Sequence, residues 1–306
     1  MDKNDAKAAT NFNTIRYDVR PDGILLLTLS RPEKLNTFTV EMCDELVAAF
    51  TIANSDDRVG AIVVTGEGRT FCAGMDLSVE GNVFGLNETL TPTLDELRDH
   101  ADDPEYLRGI RDTGGRVTLA MYDCLKPIIG AVNGVAVGFG STMLLAMDFR
   151  FASDEARFGF VFGRLGITLE ACSSWFLPRI VGLEQALEWV YRADIFDAEE
   201  AHAKGLIRAI IGPEELVEEA CAFARSLVQD RSPVSIGLIR QMLLRNGQLP
   251  HPFEAHLVES LAVLHTSRAD GAEGVKAFQE KRPPVFTGRA SAMPPFYPWD
   301  DPAQQS

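Results

Sequence analysis

The chain has 306 residues, 46% of them hydrophobic and 24% charged, with a net charge of −15. Length and apolar content suffice for a sizeable core in one large or two small domains. The acidic balance argues against nucleic acid or an anionic membrane as partner, so an anionic ligand must be held by local cations. Residues 1–14 are polar, without an apolar stretch, and are expected to form a disordered tail. Five cysteines, Cys43, Cys72, Cys124, Cys172 and Cys221, stand singly with no CxxC spacing. With no secretory leader in view, that pattern reads as reduced thiols in a cytoplasmic protein. No apolar run approaches membrane-spanning length.

The run Ile24–Leu29, opened by the turn Pro21-Asp22-Gly23 and ended by Arg31-Pro32, predicts a buried strand. Thr39 is placed to cap a helix whose apolar face is Cys43, Leu46, Val47 and Phe50. Ala61–Thr65 predicts a second buried strand. From Ser78 to Asp112 glycine, proline and acidic residues dominate, and the only helical signal is Asp103–Arg111. Ile128–Val132 is again an apolar run, followed by the turn pair Asn133-Gly134, then Gly138-Phe139-Gly140, then the apolar helix signal of Met143, Leu144, Ala146 and Met147. A strand that enters a glycine turn and leaves on a helix presents unpaired backbone N–H groups to an anion or a developing oxyanion. The plainer reading is a tight turn whose glycines serve packing. Phe149–Ala152 continues the strand–helix–strand order, which indicates an α/β arrangement.

Farther on, Ala156–Gly163 is aromatic and glycine-rich and reads as pocket floor or as core. Leu183, Ala186, Leu187 and Val190 make a helical face, and Ile207–Ile211 a late strand. Beyond Pro213 the pattern is helical, with the stripe Leu216, Val217, Ala220, Cys221, Ala224, Leu227 and Val228 and further helices over Val234–Arg245, Pro252–Thr266 and Gly271–Glu280. The expected organisation is a core over 15–206, a helical domain over 207–288 and an extended tail over 289–306. The five histidines show no zinc spacing, and no metal is assigned. Gly138–Thr142 does not form G-x-S-x-G, so Ser141 is a poor nucleophile candidate. No opening strand leads into GxGxxG, which argues against a dinucleotide.

Six blocks in order carry a family resemblance: RPEKLNTF at Arg31–Phe38, FCAGMDL at Phe71–Leu77, AVNGVAVGFGSTMLLAMD at Ala131–Asp148, SSWFLPRIVG at Ser173–Gly182, DAEEAHAKGLI at Asp197–Ile207 and FQEKRPPVF at Phe278–Phe286. Together they resemble the crotonase superfamily, the enoyl-CoA hydratase/isomerase family, over nearly the whole chain. The resemblance implies a spiral core of ββα turns with a C-terminal all-helical region. It implies action on acyl-CoA thioesters, with coenzyme A as part of the substrate and no separate cofactor. By match, the backbone N–H groups of Met75 and Phe139 would hold a thioester enolate. Arg31, Lys34, Leu35, Ala73, Asp76, Leu77, Gly138, Thr142, Phe162, Phe278 and Lys281 would contact the acyl-CoA, the last two often from a neighbouring subunit. In the family the variable region 78–112 lies over the acyl pocket, so it reads as a partly mobile cover, or else as a plain surface insertion. The family also implies a homo-oligomer, a trimer or a dimer of trimers, and the late apolar helices suit the covering of a neighbour.

The general acid/base is where the chain departs from the hydratases. Their two glutamates fall at Thr142 and Phe162, so the two-glutamate addition of water does not carry over. Glu170 remains, in a stretch similar to the P-E-G-C-S-S block of peroxisomal-type Δ3,Δ2-enoyl-CoA isomerases, with Leu169 for the proline and Ala171 for the glycine. One carboxylate fits isomerisation best. Hydrolysis, decarboxylation or C–C cleavage of a CoA ester, and an inactive acyl-CoA-binding subunit, stay open as alternatives. Thr168 is placed to cap a helix with Glu170 in its first turn, where the dipole lowers a carboxyl pKa. Against that, the resemblance brings it near Phe160, Phe162 and Trp175, and an apolar pocket there would raise it.

Overall fold

The computed structural model describes residues 11–299. In chain order they form β1 (Ile15–Val19), β2 (Ile24–Leu29), α1 (Val40–Ser55), β3 (Ala61–Gly66), β4 (Thr70–Cys72), α2 (Leu94–Asp99), α3 (Pro104–Gly109) and α4 (Thr113–Asp123). Next come β5 (Ile128–Val132), β6 (Val135–Val137), α5 (Phe139–Leu144), β7 (Phe149–Ser153), β8 (Arg157–Gly159), α6 (Ser173–Val181) and α7 (Leu183–Arg192). The chain continues through β9 (Ile195–Asp197), α8 (Ala198–Ala203), β10 (Ala209–Ile211), α9 (Leu216–Val228), α10 (Pro233–Arg245), α11 (Pro252–Arg268) and α12 (Asp270–Glu280).

From β3 to β8 consecutive strands alternate between two sheets. The larger has the order β1-β2-β3-β5-β7-β10 and the smaller β4-β6-β8-β9. Pairing is parallel except at β1–β2 and β8–β9. The turns from β3 to β7 each lay one strand in the large sheet, the next in the small one, and return through helix. The apolar runs are unbroken because the large sheet is covered on both faces. Ile62 and Val64 face the main core, whereas Ala61 and Val63 pack with Ile129 and Phe151 against Leu216, Ala220, Cys221 and Ala224 of α9. Thr39 caps α1 as the sequence predicts, its Oγ1 accepting from Met42 N at 3.1 Å.

The expected boundary near residue 207 falls inside this arrangement. β10 pairs with β7 and α9 covers the large sheet, so the chain leaves the α/β layers only with α10. Of the expected disordered tail, 1–10 lies outside the described residues, and Asn13 and Thr14 are tied down, their amides donating to Glu45 at 2.6 and 2.8 Å. At the other end 300–306 lies outside the described residues. Ala290 is buried, and the Ser291 hydroxyl donates to Asp57 at 2.7 Å, so that segment docks on the body. On α7, Ala186 and Trp189 turn inward, while Leu183 and Leu187, expected on the buried face, are exposed. No helix among the described residues is long and apolar enough to cross a membrane.

Candidate active site

A cavity of about 560 Å³ opens beyond the end of β6 of the smaller sheet, lined among others by Phe38, Met75, Phe139, Phe162, Asp112 and Glu170. Its volume suits a small-molecule site. Two segments from different turns of the spiral meet at its wall. Phe38 N donates to Gly74 O and Asp76 N to Phe38 O, both at 2.8 Å. Strand geometry then points the Met75 N–H away from Phe38. On that other side lie Val137 and Gly138: Gly74 has φ +90°, and a Cβ there would stand 3.0 Å from Val137 O. Gly138, at φ 56° and ψ −123°, starts α5 without a side-chain cap and leaves Phe139 N–H as the first amide of the helix. Among the described residues neither the Met75 nor the Phe139 amide has a hydrogen-bond partner. A Cβ on Gly140 would lie 2.1 Å from Cys72 O, so glycine is what lets α5 approach the strand that carries Met75. The Phe139 ring stacks on Phe38 with centroids 3.6 Å apart and closes one side of the cavity.

Glu170 enters from a turn, not a helix. α6 begins at Ser173 after Cys172, and Ala171 and Cys172 both take left-handed φ of 55°. The predicted Thr168 cap therefore does not form, and no helix dipole acts on Glu170 through it. Left-handed backbone at two successive non-glycine residues is strained and persists only where neighbours impose it. Here α4 does so, gripping both backbone groups of Ala171. Ala171 N donates to Asp112 Oδ1 at 3.2 Å, and Thr118 Oγ1 donates to Ala171 O at 3.1 Å. Ser173 Oγ adds a bond to Glu170 O at 2.6 Å.

The Glu170 carboxyl lodges between Thr142 and α4. The Thr142 hydroxyl donates to its Oε1, and Oε2 fills the place a Cβ on Gly114 would take, 1.9 Å away. Burial is the largest influence on this carboxyl and pushes it up to about 8. The Thr142 bond opposes the rise, and the Asp112 carboxyl adds to it. Of the aromatics expected around Glu170, Phe162 lines the cavity. Phe160 is buried against Trp189 with centroids 6.0 Å apart, and Trp175 packs edge-on to Tyr122 at 5.8 Å.

The remaining candidates divide. Ala73, Leu77 and Gly138 line the cavity with Met75 and Phe139. Thr142 is buried behind it, with its hydroxyl bonded to Glu170. Arg31 is not a free cation: its Nη2 pairs with Asp76 Oδ2 at 3.0 Å. The Ser78 hydroxyl, and then Arg31, hold the Asp76 carboxyl down at about 2. Lys34 and Leu35 sit on the exposed turn above, whose left-handed Leu35 accepts from Ala73 N at 3.2 Å. Phe278 lies on α12 and is 86% exposed, and Lys281 follows at its left-handed C-cap; neither lines the cavity of its own chain. Of the region 78–112, Phe84, Leu86 and Asp112 reach the cavity.

Sequence reasoning missed α4 and with it Asp112, Gly114 and Thr118. The signal was present in part, since Asp112 is followed by Val117 and Met121 at helical spacing, but two glycines in the first turn obscured it.

The family model for enoyl-CoA hydratase/isomerase matches residues 20–107 and 108–289. The chain is 38% identical to enoyl-CoA hydratase ACTT3 of Alternaria alternata over 268 residues, covering 87% of this chain and 83% of that one. It is 32% identical to 1,2-epoxyphenylacetyl-CoA isomerase of Escherichia coli, covering 87% of this chain and 96% of that one. The crystal structure of enoyl-CoA hydratase from Bacillus anthracis superposes with a TM-score of 0.75 at 27% identity, over 90% of this chain and 100% of that one.

Proposed function

The chain belongs to the enoyl-CoA hydratase/isomerase family, and from that premise we propose that it moves the double bond of an enoyl-CoA thioester from position 3 to position 2. The observation that carries this reading is one raised carboxyl, Glu170, lining the same apolar cavity as two partnerless amides. Ionised Glu170 takes a proton from C2. The electron pair runs to the thioester oxygen, where Met75 and Phe139 N–H hold the enolate, an interaction made mainly with the transition state. Protonated Glu170 then delivers its proton to C4 as the carbonyl re-forms. One proton moves, and no water is consumed. Among relatives, the Escherichia coli protein is named an isomerase and the Alternaria protein a hydratase. Thr142 and Phe162 favour the first, because neither can activate water. Assays of 3-enoyl-CoA and 2-enoyl-CoA, with acyl-CoA binding followed in parallel, test the proposal. Conversion of the 3-enoyl ester to the conjugated 2-enoyl ester is expected. Hydration of the 2-enoyl ester alone, cleavage of a CoA ester, or binding without turnover would each overturn it.

The CoA tail is the second part of the proposal. Lys34, on the exposed turn beside Ala73, grips its phosphates, and Lys281 and Phe278 reach the same tail from a neighbouring chain in a trimer or a dimer of trimers. The exposed apolar side chains Leu243, Phe253, Val263 and Phe278 support such a neighbour. Lys34→Ala and Lys281→Ala are each expected to raise KM for acyl-CoA with less effect on kcat, because they touch the non-reacting part of the substrate. Light scattering at micromolar concentration is expected to give three or six chains. A monomer, or an unchanged KM for Lys281→Ala, removes Lys281 from the site.

A further inference from the structure

A second cavity, of about 430 Å³, lies where the chain enters β3 and β5, and it shares no lining residue with the active-site cavity. Four basic side chains line it, Arg58, Lys126, Arg225 and Arg231, against two acidic ones, Asp22 and Asp57. On a chain of net charge −15 this is a local reversal of sign. Lys126 is 3% exposed, and its ammonium makes no hydrogen bond or ion pair among the described residues. That ammonium is not sealed inside the protein but keeps access to the cavity. We propose that this cavity is a binding site for a small organic phosphate, held by Lys126 and Arg231 at its phosphoryl group and by Leu125, Val228 and Ile236 along its apolar body. The proposal is independent of the reaction assigned to Glu170.

A buried ammonium without a partner is costly, and a bound anion removes that cost. The nearby carboxylates are engaged elsewhere. Asp56 is held by the Arg58 guanidinium at 2.6 Å and Asp22 by that of Arg225, while Asp57 accepts from the Ser291 hydroxyl at 2.7 Å. Burial holds the Lys126 ammonium below its ordinary pKa, although the charges of Asp57 and Asp56 oppose this. Arg231 has no carboxylate partner among the described residues; its Nη1 donates to the backbone oxygens of Gln229 and Asp230, each at 3.1 Å. Lys126 and Arg231 are therefore the two uncompensated cations of the cavity. A phosphate dianion matches them in charge, where a carboxylate supplies one charge alone. The volume falls in the range of small-molecule sites, and Leu125, Val228 and Ile236 give the rest of the lining an apolar character suited to the body of an organic ester.

Inorganic phosphate and phenyl phosphate are the probes, titrated against the full chain by calorimetry and thermal melting, with potassium chloride holding ionic strength constant. Phenyl phosphate is expected to bind more tightly than inorganic phosphate, and to raise the melting temperature by about 4 °C at 100 times its dissociation constant. Lys126→Met exchanges the charge for an apolar side chain of similar length. It is expected to melt no lower than wild type without phosphate, and to lose affinity for phenyl phosphate by about tenfold or more. Arg231→Gln, at an exposed position that the fold does not depend on, is expected to lose affinity by a similar factor. Lys34→Ala is expected to keep wild-type affinity, which separates this cavity from the contacts proposed for the CoA tail. Absence of binding by both probes, or affinity unchanged in both Lys126→Met and Arg231→Gln, overturns the proposal. So does benzoate binding as tightly as phenyl phosphate, since the site would then have no preference for the dianion.

Discussion

Glu170→Gln lowers kcat by roughly 10²-fold or more on the enoyl-CoA that the enzyme turns over, the usual scale for removing a general base. Glutamine keeps the size of the side chain and can still receive the Thr142 hydroxyl bond, so KM should change little. Stability offers an independent check with a definite sign. The carboxyl titrates near 4.5 when unfolded and near 8 when folded, so the folded chain binds the extra proton between these values. The stability linked to that proton is present below about 4.5 and is lost as pH rises through about 8. Glutamine has no such loss. Its melting temperature should therefore equal or exceed wild type above about pH 8, which is what an ionisable group placed for chemistry at a cost in stability produces. Wild-type turnover by the variant would remove Glu170 from catalysis. Glu80, Glu88 and Asp95, the carboxylates the sequence offers next in the cover, are exposed and do not line the cavity, so Asp112 would then be the residue to examine.

Gly140→Ala is expected to lower kcat by about 10²- to 10³-fold, the scale seen when one oxyanion donor is lost. The new Cβ would stand 2.1 Å from Cys72 O and 3.0 Å from Cys72 C, both backbone atoms that cannot swing aside. Relief requires α5 and the segment after β4 to separate, and these carry the Phe139 and Met75 amides. Two donors that must converge on one oxygen lose it together when their spacing changes. Overpacking of this kind costs about 1–3 kcal/mol of stability, so the variant should fold. Substrate affinity, which the proposed function assigns largely to contacts with the CoA tail, should fall much less than kcat. A folded variant with wild-type kcat would show that the two amides do not act on a common oxygen.

Much of this arrangement was legible in the residues because local chemistry and fold agree there. Ala61–Thr65 and Ile128–Val132 are uninterrupted apolar runs, and both are buried on two faces. Gly138-Phe139-Gly140 announces a strand-to-helix turn, and a left-turning glycine followed by a free amide is what stands there. The glycines are needed for different reasons: φ 56° at Gly138, backbone approach at Gly140. The failures share a cause, which is that the deciding contact is distant in sequence. Thr168 followed by Glu170 looks like a cap and a first turn, but α4 holds Ala171 at both its N–H and its C=O and delays α6 to Ser173. Gly114-Gly115 looks like a loop, yet Gly114 is vacant at Cβ so that the Glu170 carboxyl can lie against the helix. Arg31, read as a cation for the phosphates, is already paired with Asp76, 45 positions on.

The region 78–112 reaches the cavity through Phe84, Leu86 and Asp112, and between its ends it carries nine acidic residues and three basic ones. An incoming substrate with a polyphosphate tail must therefore approach a mouth of its own sign, on a chain that is itself strongly negative. Such a mouth slows encounter, the reverse of electrostatic steering. Added salt shortens the reach of the repulsion to about 8 Å at physiological ionic strength. Capture of the thioester should then quicken as ionic strength rises from very low values, until screening of the lysine contacts proposed for the tail overtakes the gain. The enzyme would thus have an optimum salt concentration for association, set by the balance between an acidic rim and those proposed contacts.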